Sequence, residues 1–326
     1  MHLKKRFYGV CLFFIFLFAC SDEEVTLLGN WKESSDFEGI PRNNAVSFVI
    51  NGKAYVGLGY NFDEDEYLRD FWEYDPSLNS WKKVADFPGN GRSSAIAFAI
   101  NGKGYVGTGY DGEDDRKDFW EYDPLNNQWL QKTDFAGTAR RGAVAFALDG
   151  KGYVGTGNDG NDLKDFWQYD PLNDSWTQII SLSGDKRINA FAFVLNGKAY
   201  IGGGRNNGVY EDDFWEYDPA IANWTRKEDL NTDDYTLARE GAVAFAINDK
   251  AYMGTGSTGA AKSDIWEYNP VNDFWEQKTD FEGVPRTEAV GFAIGNMGYV
   301  CTGRSSNERY DDLWEFNPLA DFDEED

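Results

Sequence analysis

Histidine and cysteine are almost absent from this chain of 326 residues. The one histidine is His2, and the three cysteines are Cys11, Cys20 and Cys301. If the N-terminal segment is cleaved, as argued below, no imidazole remains for a copper site, a Ser-His-Asp relay or a histidine general base. Loss of Cys11 and modification of Cys20 would leave Cys301 without a partner. We therefore expect a fold that depends on packing and has no internal disulfide.

Basic charge is also scarce, because 31 Lys and Arg face 56 Asp and Glu, for a net charge of −25. Such a chain repels phosphate polymers, and we expect no nucleic-acid partner. Helix-like apolar periodicity is rare beyond the first twenty positions. The apolar run from Phe7 to Ala19 follows Lys4, Lys5 and Arg6 and is too short to span a bilayer comfortably. Residues 1–19 are therefore predicted to be a secretory signal.

The stretch Leu17–Cys20 resembles the lipobox of bacterial lipoproteins, in which the cysteine becomes the lipidated N-terminus. Each buried acyl CH₂ contributes about 0.8 kcal/mol, so lipidated Cys20 would hold the protein on a membrane. Ordinary cleavage beside an incidental cysteine is the alternative. Ser21–Glu24 resembles an export signal to the cell exterior, or is a solvated acidic linker. We expect secretion across the inner membrane and an outer-membrane lipoprotein, facing either the periplasm or the cell surface.

Six copies of one unit, with a period of about 48 residues, follow from Arg42 onward. Each copy begins with a strand of strict alternation, such as Ala95–Ile100, where small side chains alternate with large ones. A tight turn such as Asn51-Gly52, a glycine-rich strand and two tryptophan-bearing strands complete the unit. Small inner residues leave room for the bulk of the next sheet. The pattern predicts an all-β, six-bladed β-propeller with four-stranded antiparallel blades.

The sixth copy ends at Pro318 without the tryptophan that opens a fourth strand, whereas Asn30-Trp31 precedes the first copy. We therefore predict that the N-terminal strand completes the last blade, so that the seam leaves no sheet edge unpaired. The predicted division is a signal over 1–19, a lipid-anchored acidic linker over 20–28, the propeller over 29–318 and an acidic C-terminal tail over 319–326.

Glycines after the second strand, followed by a tyrosine and a tryptophan seven positions apart, as in Tyr74 and Trp81, resemble kelch repeats over residues 30–318. Most copies read Gly-x-Gly instead of adjacent glycines, and Cys301 replaces one glycine in the last copy. The resemblance implies the superfold of the galactose oxidase central domain. It does not imply that copper chemistry, because the chain without its signal has no histidine ligand. The enzyme question stays open, and we favour a protein that is not an enzyme.

Strand direction brings the starts of strands one and three and the ends of strands two and four to one face, here called the loop face. Ligands of propellers commonly bind near the channel mouth on the side with longer loops, so a protein or glycan is expected there. The connecting segments are 60–69, 110–117, 158–164, 205–212, 257–263 and 304–311.

Six arginines open the units and are predicted to ring the channel mouth, either contacting a ligand or pairing with the aspartate that starts strand three, roughly 10 Å away. The arginines are Arg42, Arg92, Arg140, Arg187, Arg239 and Arg286, and the aspartates are Asp70, Asp118, Asp165, Asp213, Asp264 and Asp312. Positions that differ among blades break the symmetry, and Asn44 and Asn189 are ligand-binding candidates for that reason. The segment 231–238 is longer than its counterparts, and Tyr235 is its predicted contact residue.

Glu240 and Glu288 come from neighbouring blades and would form a carboxylate pair for acid/base work with Arg141 opposite, if they are not merely solvated side chains. Acidic loops offer hard oxygen ligands for Ca²⁺, although solubility explains them equally well and no other cofactor is expected. The weak calcium candidates are Asp63, Asp65, Asp111, Asp114, Asp159 and Asp162.

Three functions remain open at this level. The first is a non-enzymatic binding module that captures a protein or a glycan on the loop face. The second is a sugar epimerase or mutarotase resembling the sialic-acid type, for which only fold similarity speaks. The third is a structural scaffold of an envelope complex.

Overall fold

The computed structural model describes residues 28–323, and within them every regular element is a β-strand. The predicted signal, Cys20, most of the linker and the last residues of the acidic tail lie outside the described residues. No helix in 28–323 has the length and apolar character needed to cross a membrane.

The N-terminal strand and the first three blades follow the predicted unit. Each of the first three blades is one antiparallel sheet of four strands that follow one another in chain order, and blade 1 has an additional two-stranded hairpin between its second and third strands. The strands are β1 (Leu28–Glu33), then in blade 1 β2 (Val46–Ile50), β3 (Lys53–Gly57), the hairpin β4 (Tyr60–Asn61) and β5 (Glu66–Tyr67), β6 (Phe71–Asp75) and β7 (Ser80–Lys83), in blade 2 β8 (Ile96–Ile100), β9 (Lys103–Gly107), β10 (Phe119–Asp123) and β11 (Gln128–Lys132), and in blade 3 β12 (Val144–Leu148), β13 (Lys151–Gly155), β14 (Phe166–Asp170) and β15 (Ser175–Ile179).

Blades 4 to 6 repeat this order, with short extra hairpins in blades 4 and 6 on the loop face. The strands of blade 4 are β16 (Phe191–Leu195), β17 (Lys198–Gly202), β18 (Arg205–Asn206), β19 (Val209–Tyr210), β20 (Phe214–Asp218) and β21 (Asn223–Arg226), those of blade 5 are β22 (Val243–Ile247), β23 (Lys250–Gly254), β24 (Ile265–Asn269) and β25 (Phe274–Gln277), and those of blade 6 are β26 (Val290–Ile294), β27 (Met297–Cys301), β28 (Arg304–Ser305), β29 (Glu308–Arg309) and β30 (Leu313–Asp321).

The ring closes at the predicted seam, because the sixth sheet has the order β1-β30-β27-β26. Trp31 pairs with Phe316 across the seam and is fully buried. Its ring lies 4.6 Å from that of Phe316 and 4.9 Å from that of Phe281. The last strand continues past the predicted boundary at 318, because Leu28 at the start of β1 pairs with Asp321. The closure by the N-terminal strand is thus confirmed.

Small residues on each inner strand receive the large residues of the preceding blade, as predicted. Phe48 of blade 1 lies in one cluster with the alanines of β8. Gly104 in β9 faces the same phenyl ring so closely that a Cβ would lie 2.4 Å from it. Gly152 stands in the same relation to Phe98 in the next blade. Blade-to-blade contact therefore selects alanine and glycine near the axis, because two large side chains would not fit there.

Each arginine that opens a unit is buried in a clamp which joins strands of its own blade. In blade 1 the guanidinium of Arg42 donates to the carbonyl of Leu58 at 3.0 Å and to both carboxylate oxygens of Asp70 at 2.6 and 2.9 Å. The indole N–H of Trp72 donates to the same carboxylate at 2.7 Å. All six arginines are at most 1% exposed, and the corresponding ion pairs are Arg42–Asp70, Arg92–Asp118, Arg140–Asp165, Arg187–Asp213, Arg239–Asp264 and Arg286–Asp312.

In four of the six blades the clamp lowers the pKa of its aspartate. Burial by itself raises the pKa of Asp165, but the hydrogen bonds and charge of Arg140 and the hydrogen bond from Trp167 lower it by more. Asp70, Asp118 and Asp264 show the same net lowering with the same causes. A group whose pKa is depressed on folding stabilises the fold above its unfolded pKa, and this stability is lost as the pH falls through the folded value.

Replacing Trp31 by alanine should lower the free energy of unfolding by about 3–5 kcal/mol, because a fully buried indole is removed from the seam. Guanidinium unfolding followed by tryptophan fluorescence measures the change. Lys32→Ala in the exposed part of the same strand is the control and should change the value by less than about 0.5 kcal/mol. Equal unfolding curves for the Trp31 variant and the wild type would contradict the seam.

Asp165→Asn should cost about 3 kcal/mol near neutral pH, because it leaves the buried Arg140 guanidinium without its counter-charge. The clamp contribution should be complete above about pH 4 and should decline as the pH falls further, and this decline should be shallower in the variant. Urea unfolding between pH 2 and 7 tests both points. Asp86→Asn removes the exposed pair with Lys83 and should cost less than about 1 kcal/mol.

Candidate functional site

The mouth of the channel on the loop face is formed by the residues two positions after each clamp arginine. They line a cavity of about 120 Å³ together with the alanines that follow them. All six adopt a left-handed backbone, with φ between 52° and 62°. Two of them are glycines, whereas Ser94 and Glu288 hold this conformation at a steric cost. The six residues are Asn44, Ser94, Gly142, Asn189, Gly241 and Glu288.

These six residues form a closed ring of backbone hydrogen bonds around the channel. Each amide N–H donates to the carbonyl oxygen of the equivalent residue in the preceding blade, and the six distances lie between 2.9 and 3.0 Å. The last bond runs from the amide of Asn44 to the carbonyl of Glu288, across the boundary between blades 1 and 6. These amide and carbonyl groups are hydrogen-bonded to each other within the ring, so recognition at the mouth depends on side chains.

Charged side chains gather at the mouth above blades 4 to 6. Arg304 donates two hydrogen bonds to Glu288, at 2.7 and 2.8 Å, and Arg205 lies 3.5 Å from Glu240. The hydrogen bond to Glu288, more than the opposing effect of burial, raises the pKa of Arg304 and keeps it cationic. Arg205 is 45% exposed and Arg304 34%, so both guanidinium groups remain accessible to a ligand.

Amide side chains complete the polar surface of the mouth. Asn43 and Asn44 donate to one oxygen of Glu288 at 2.6 and 2.8 Å, and Asn189 donates to Glu240 at 3.1 Å. Each predicted member of the carboxylate pair is therefore held by an arginine and by amides. The arrangement favours binding of polar groups by charge-assisted hydrogen bonds.

Arg141 of blade 3 borders a second cavity of about 500 Å³ that is also lined by Arg205 and Asn189 of the adjacent blade 4. Its guanidinium lies 3.2 Å from Asp115 and 4.8 Å from the ring centre of Tyr110. Burial raises the pKa of Asp115, and Arg141 lowers it by less, so that the net shift is upward.

Three tyrosines, Tyr60, Tyr67 and Tyr110, form an aromatic shelf next to Arg141. The ring centres of Tyr60 and Tyr67 are 4.9 Å apart, and those of Tyr67 and Tyr110 are 5.8 Å apart. Tyr60 and Tyr110 also begin the connections that follow the second strands, where blades 4 and 6 have Arg205 and Arg304. Equivalent positions therefore carry aromatic groups on one half of the mouth and cations on the other.

The remaining predicted binding residues lie elsewhere. The six clamp arginines are buried against their aspartates, which is the pairing alternative that the sequence left open. Tyr235 does not project as expected. It is only 7% exposed, because it packs on Trp266 and Phe274, with ring centres 5.7 Å away in both cases. Asn44 and Asn189, by contrast, stand at the mouth.

Four of the six calcium candidates bind neighbouring protein groups. Asp65 accepts from Tyr60, Asp162 accepts from Asn158, and Asp111 is bound by Arg116. Asp159 accepts from its own loop, and Asp63 and Asp114 lie in exposed loop segments. Within residues 28–323 no group of three or more His, Cys, Asp or Glu residues is placed to hold a metal ion.

Sequence reasoning missed Arg205 and Arg304. Besides the residues that follow each clamp arginine, the residues that follow the glycines of strand two also differ among the blades. At the latter position the six blades carry Tyr60, Tyr110, Asn158, Arg205, Ser257 and Arg304. The two positions pair across each blade, as in the bridge between Glu240 and Ser257, so both contribute to the mouth.

Comparisons with known proteins agree with this architecture. Residues 29–189 match the family model described as the KLHDC2/KLHL20/DRC7 Kelch-repeats domain. A stretch of 54 residues is 41% identical to an N-acetylneuraminate epimerase of Yersinia enterocolitica, and it spans 15% of this chain and 14% of that protein.

The solved structure of YjhT superposes with a TM-score of 0.73 at 18% identity, covering 86% of this chain and 96% of that one. At this level of identity the likeness concerns the fold alone. The chain is thus a six-bladed β-propeller in which residues 29–189 match a kelch-repeat domain.

Proposed function

We propose that this propeller is a binding module that receives a carboxylate-bearing sugar at the channel mouth. The observation that carries the proposal is the pair of accessible guanidinium groups, Arg205 and Arg304, in a chain whose net charge is −25. Cations at such a position attract an anionic group locally although the molecule as a whole repels anions.

Arg304 supplies the stronger of the two anion sites. Its Nε and one terminal nitrogen bind Glu288, which orients the planar guanidinium and leaves the other terminal nitrogen for a ligand. Arg205 is held less closely by Glu240 and is more exposed. A carboxylate at either guanidinium group would accept charge-assisted hydrogen bonds, which are about twice as strong as neutral ones.

The sugar ring has two further kinds of partner at the mouth. Asn44 and Asn189 donate their amide N–H groups to the glutamates and keep their amide oxygens for sugar hydroxyls. The aromatic shelf presents the faces and edges of tyrosine rings, which pack on the apolar face of a pyranose. Cation, amide and aromatic groups together fit an acidic sugar better than a neutral one.

The relative from Yersinia supports the same ligand class, because N-acetylneuraminate is an acidic sugar. It also favours a second candidate function, an epimerase or mutarotase acting on such a sugar. In that case Glu240 and Glu288 would exchange protons with the bound sugar, and Arg141 would contribute charge. The match covers only 14% of that protein, so the binding function comes first.

The location of the module remains a proposal of its own. Lipidated Cys20 would hold the propeller at a bacterial outer membrane, with the loop face available to a glycan or to a protein that carries one. The alternative is a scaffold role in an envelope complex. Binding of a protein partner that carries no sugar would indicate this role.

Arg304→Gln should weaken the binding of N-acetylneuraminate by about tenfold or more, because one charge-assisted hydrogen bond to the carboxylate is lost. Isothermal titration calorimetry measures the affinity. Arg226→Gln is the matched control, since Arg226 is exposed and paired with Asp229 away from the mouth, and it should bind like the wild type.

The methyl ester of the same sugar should bind the wild type more weakly than the acid, and the Arg304 variant should lose this preference. Equal affinities of acid and ester for the wild type would refute the acidic-sugar site. Exchange between the sugar anomers, followed by NMR, separates the two candidates: acceleration that is lost in Glu240→Gln would establish the enzyme, and an unchanged rate supports the binding module.

A further inference from the structure

Each blade exposes one large apolar side chain on the face opposite the channel mouth, in the turn between strands three and four of blades 1 to 5 and near the end of β30 in blade 6. We call these six side chains the apolar tips. They are Leu78, Leu125, Leu172, Ile221, Val271 and Leu319, and they are 65% to 92% exposed.

The repeat itself does not require these side chains. In the turns of blades 1 to 5 the conformation is set by the Asp or Asn before proline, as where Asp123 accepts from the amide of Leu125 at 2.9 Å, and by a positive φ four residues after that Asp or Asn, as at Asn127. Counted from the Asp or Asn before proline as the first position, the apolar residue is third in four blades. In the other two blades Leu78 and Ile221 are fourth. Every blade keeps one apolar residue at this end although its position shifts, which simple copying of a unit does not explain.

The tips share one face of the disc. Lys53 begins the strand after the first turn of its blade and lies 3.0 Å from Asp75, which begins the turn carrying Leu78. The same contact joins Lys103 to Asp123 at 2.7 Å in blade 2. The two kinds of turn therefore lie at the same end of each blade. Six equivalent blades place the tips on one rim, which matches a flat partner and not a small ligand.

The chain reaches this rim from its N-terminal side. Leu28, the first described residue, pairs with Asp321, two residues after the tip Leu319. Leu28 and Phe322 are themselves 42% and 40% exposed and add apolar surface at this point. Cys20 and the apolar run Phe7–Ala19 lie upstream, and the eight residues from Cys20 to Leu28 span at most roughly 27 Å. The lipid anchor proposed at Cys20 would therefore keep this rim close to the lipid surface.

We propose that the apolar tips insert into a phospholipid surface, so that the propeller lies flat on the membrane with its mouth facing away. The turn aspartates beside the tips are partly neutralised, as in the pairs of Asp75 with Lys53 and Asp170 with Lys151. The face nevertheless carries more acidic than basic groups, and it fits a zwitterionic surface better than an anionic one. This inference is independent of the sugar site, which lies on the opposite face.

The test uses residues 21–326, which retain all thirty strands of the closed ring but not the apolar leader. The protein is sedimented with phosphatidylcholine vesicles, and its partition coefficient is measured. The tip variant Leu125→Ser, Leu172→Ser, Val271→Ser should bind about tenfold more weakly or worse, because three exposed apolar side chains are lost. Adding phosphatidylglycerol should weaken wild-type binding.

The matched control replaces three exposed apolar residues of the loop face, as Ile40→Ser, Val209→Ser, Val284→Ser. This variant should bind vesicles like the wild type, and both variants should keep the wild-type unfolding midpoint. Equal binding by the tip and control variants, or a wild type that stays in the supernatant at millimolar lipid, would overturn the proposal. Self-association of the wild type that the tip variant loses would also overturn it, because the occupant would then be a second copy.

A spectroscopic measurement distinguishes insertion from a loose encounter. In residues 21–326 the only native cysteine is Cys301, which is fully buried and does not compete for label. Bimane attached to Leu125→Cys should shift to shorter wavelength when vesicles are added, and bimane attached to Val209→Cys should not. Identical spectra at the two sites would contradict insertion of the rim.

Discussion

The buried clamp between arginine and aspartate is the interaction on which the blades depend. In one contact it joins the start of strand one, the end of strand two and the start of strand three, and a tryptophan N–H holds the carboxylate in place. Phe37 lies under the guanidinium of Arg42, 4.8 Å from it, and ties in the connection from the neighbouring blade. A buried charge is tolerable only with such full pairing, so the elements of the clamp must be kept together.

The clamp and the ring of backbone hydrogen bonds divide the molecule into a symmetric frame and a variable surface. The six clamps and the six equivalent amide hydrogen bonds form the part of the molecule that recurs in every blade. Recognition is left to the side chains at positions that the frame does not use, where tyrosines stand on one half and Arg205 and Arg304 on the other. The opposite face carries the apolar tips, so the two faces serve different partners in our proposals.

Much of the frame could be predicted because the same residues recur in all six repeats of the sequence. The alternation of alanine with Ile or Phe in β8, the Asn-Gly turns and the missing tryptophan after Pro318 sufficed for the blade, its turns and the seam at Trp31. Strand spacing also predicted the pairing of Arg140 with Asp165 as one of two alternatives. Less was predictable where neighbouring segments meet. Tyr235 was expected at the surface since its loop is long, yet that extra length folds back onto Trp266.

The amino-acid sequence by itself determined the all-β propeller, its six-fold repeat and its closure, because local alternation, turns and repeated residues need no knowledge of distant contacts. Only the tertiary structure decided which polar residues are spent within the protein and which are left for a ligand. Glu288 accepts hydrogen bonds from Arg304 in its own blade and from Asn44 in the neighbouring blade. Such pairings depend on blade angle and channel radius, which are properties of the assembled ring and not of any single repeat.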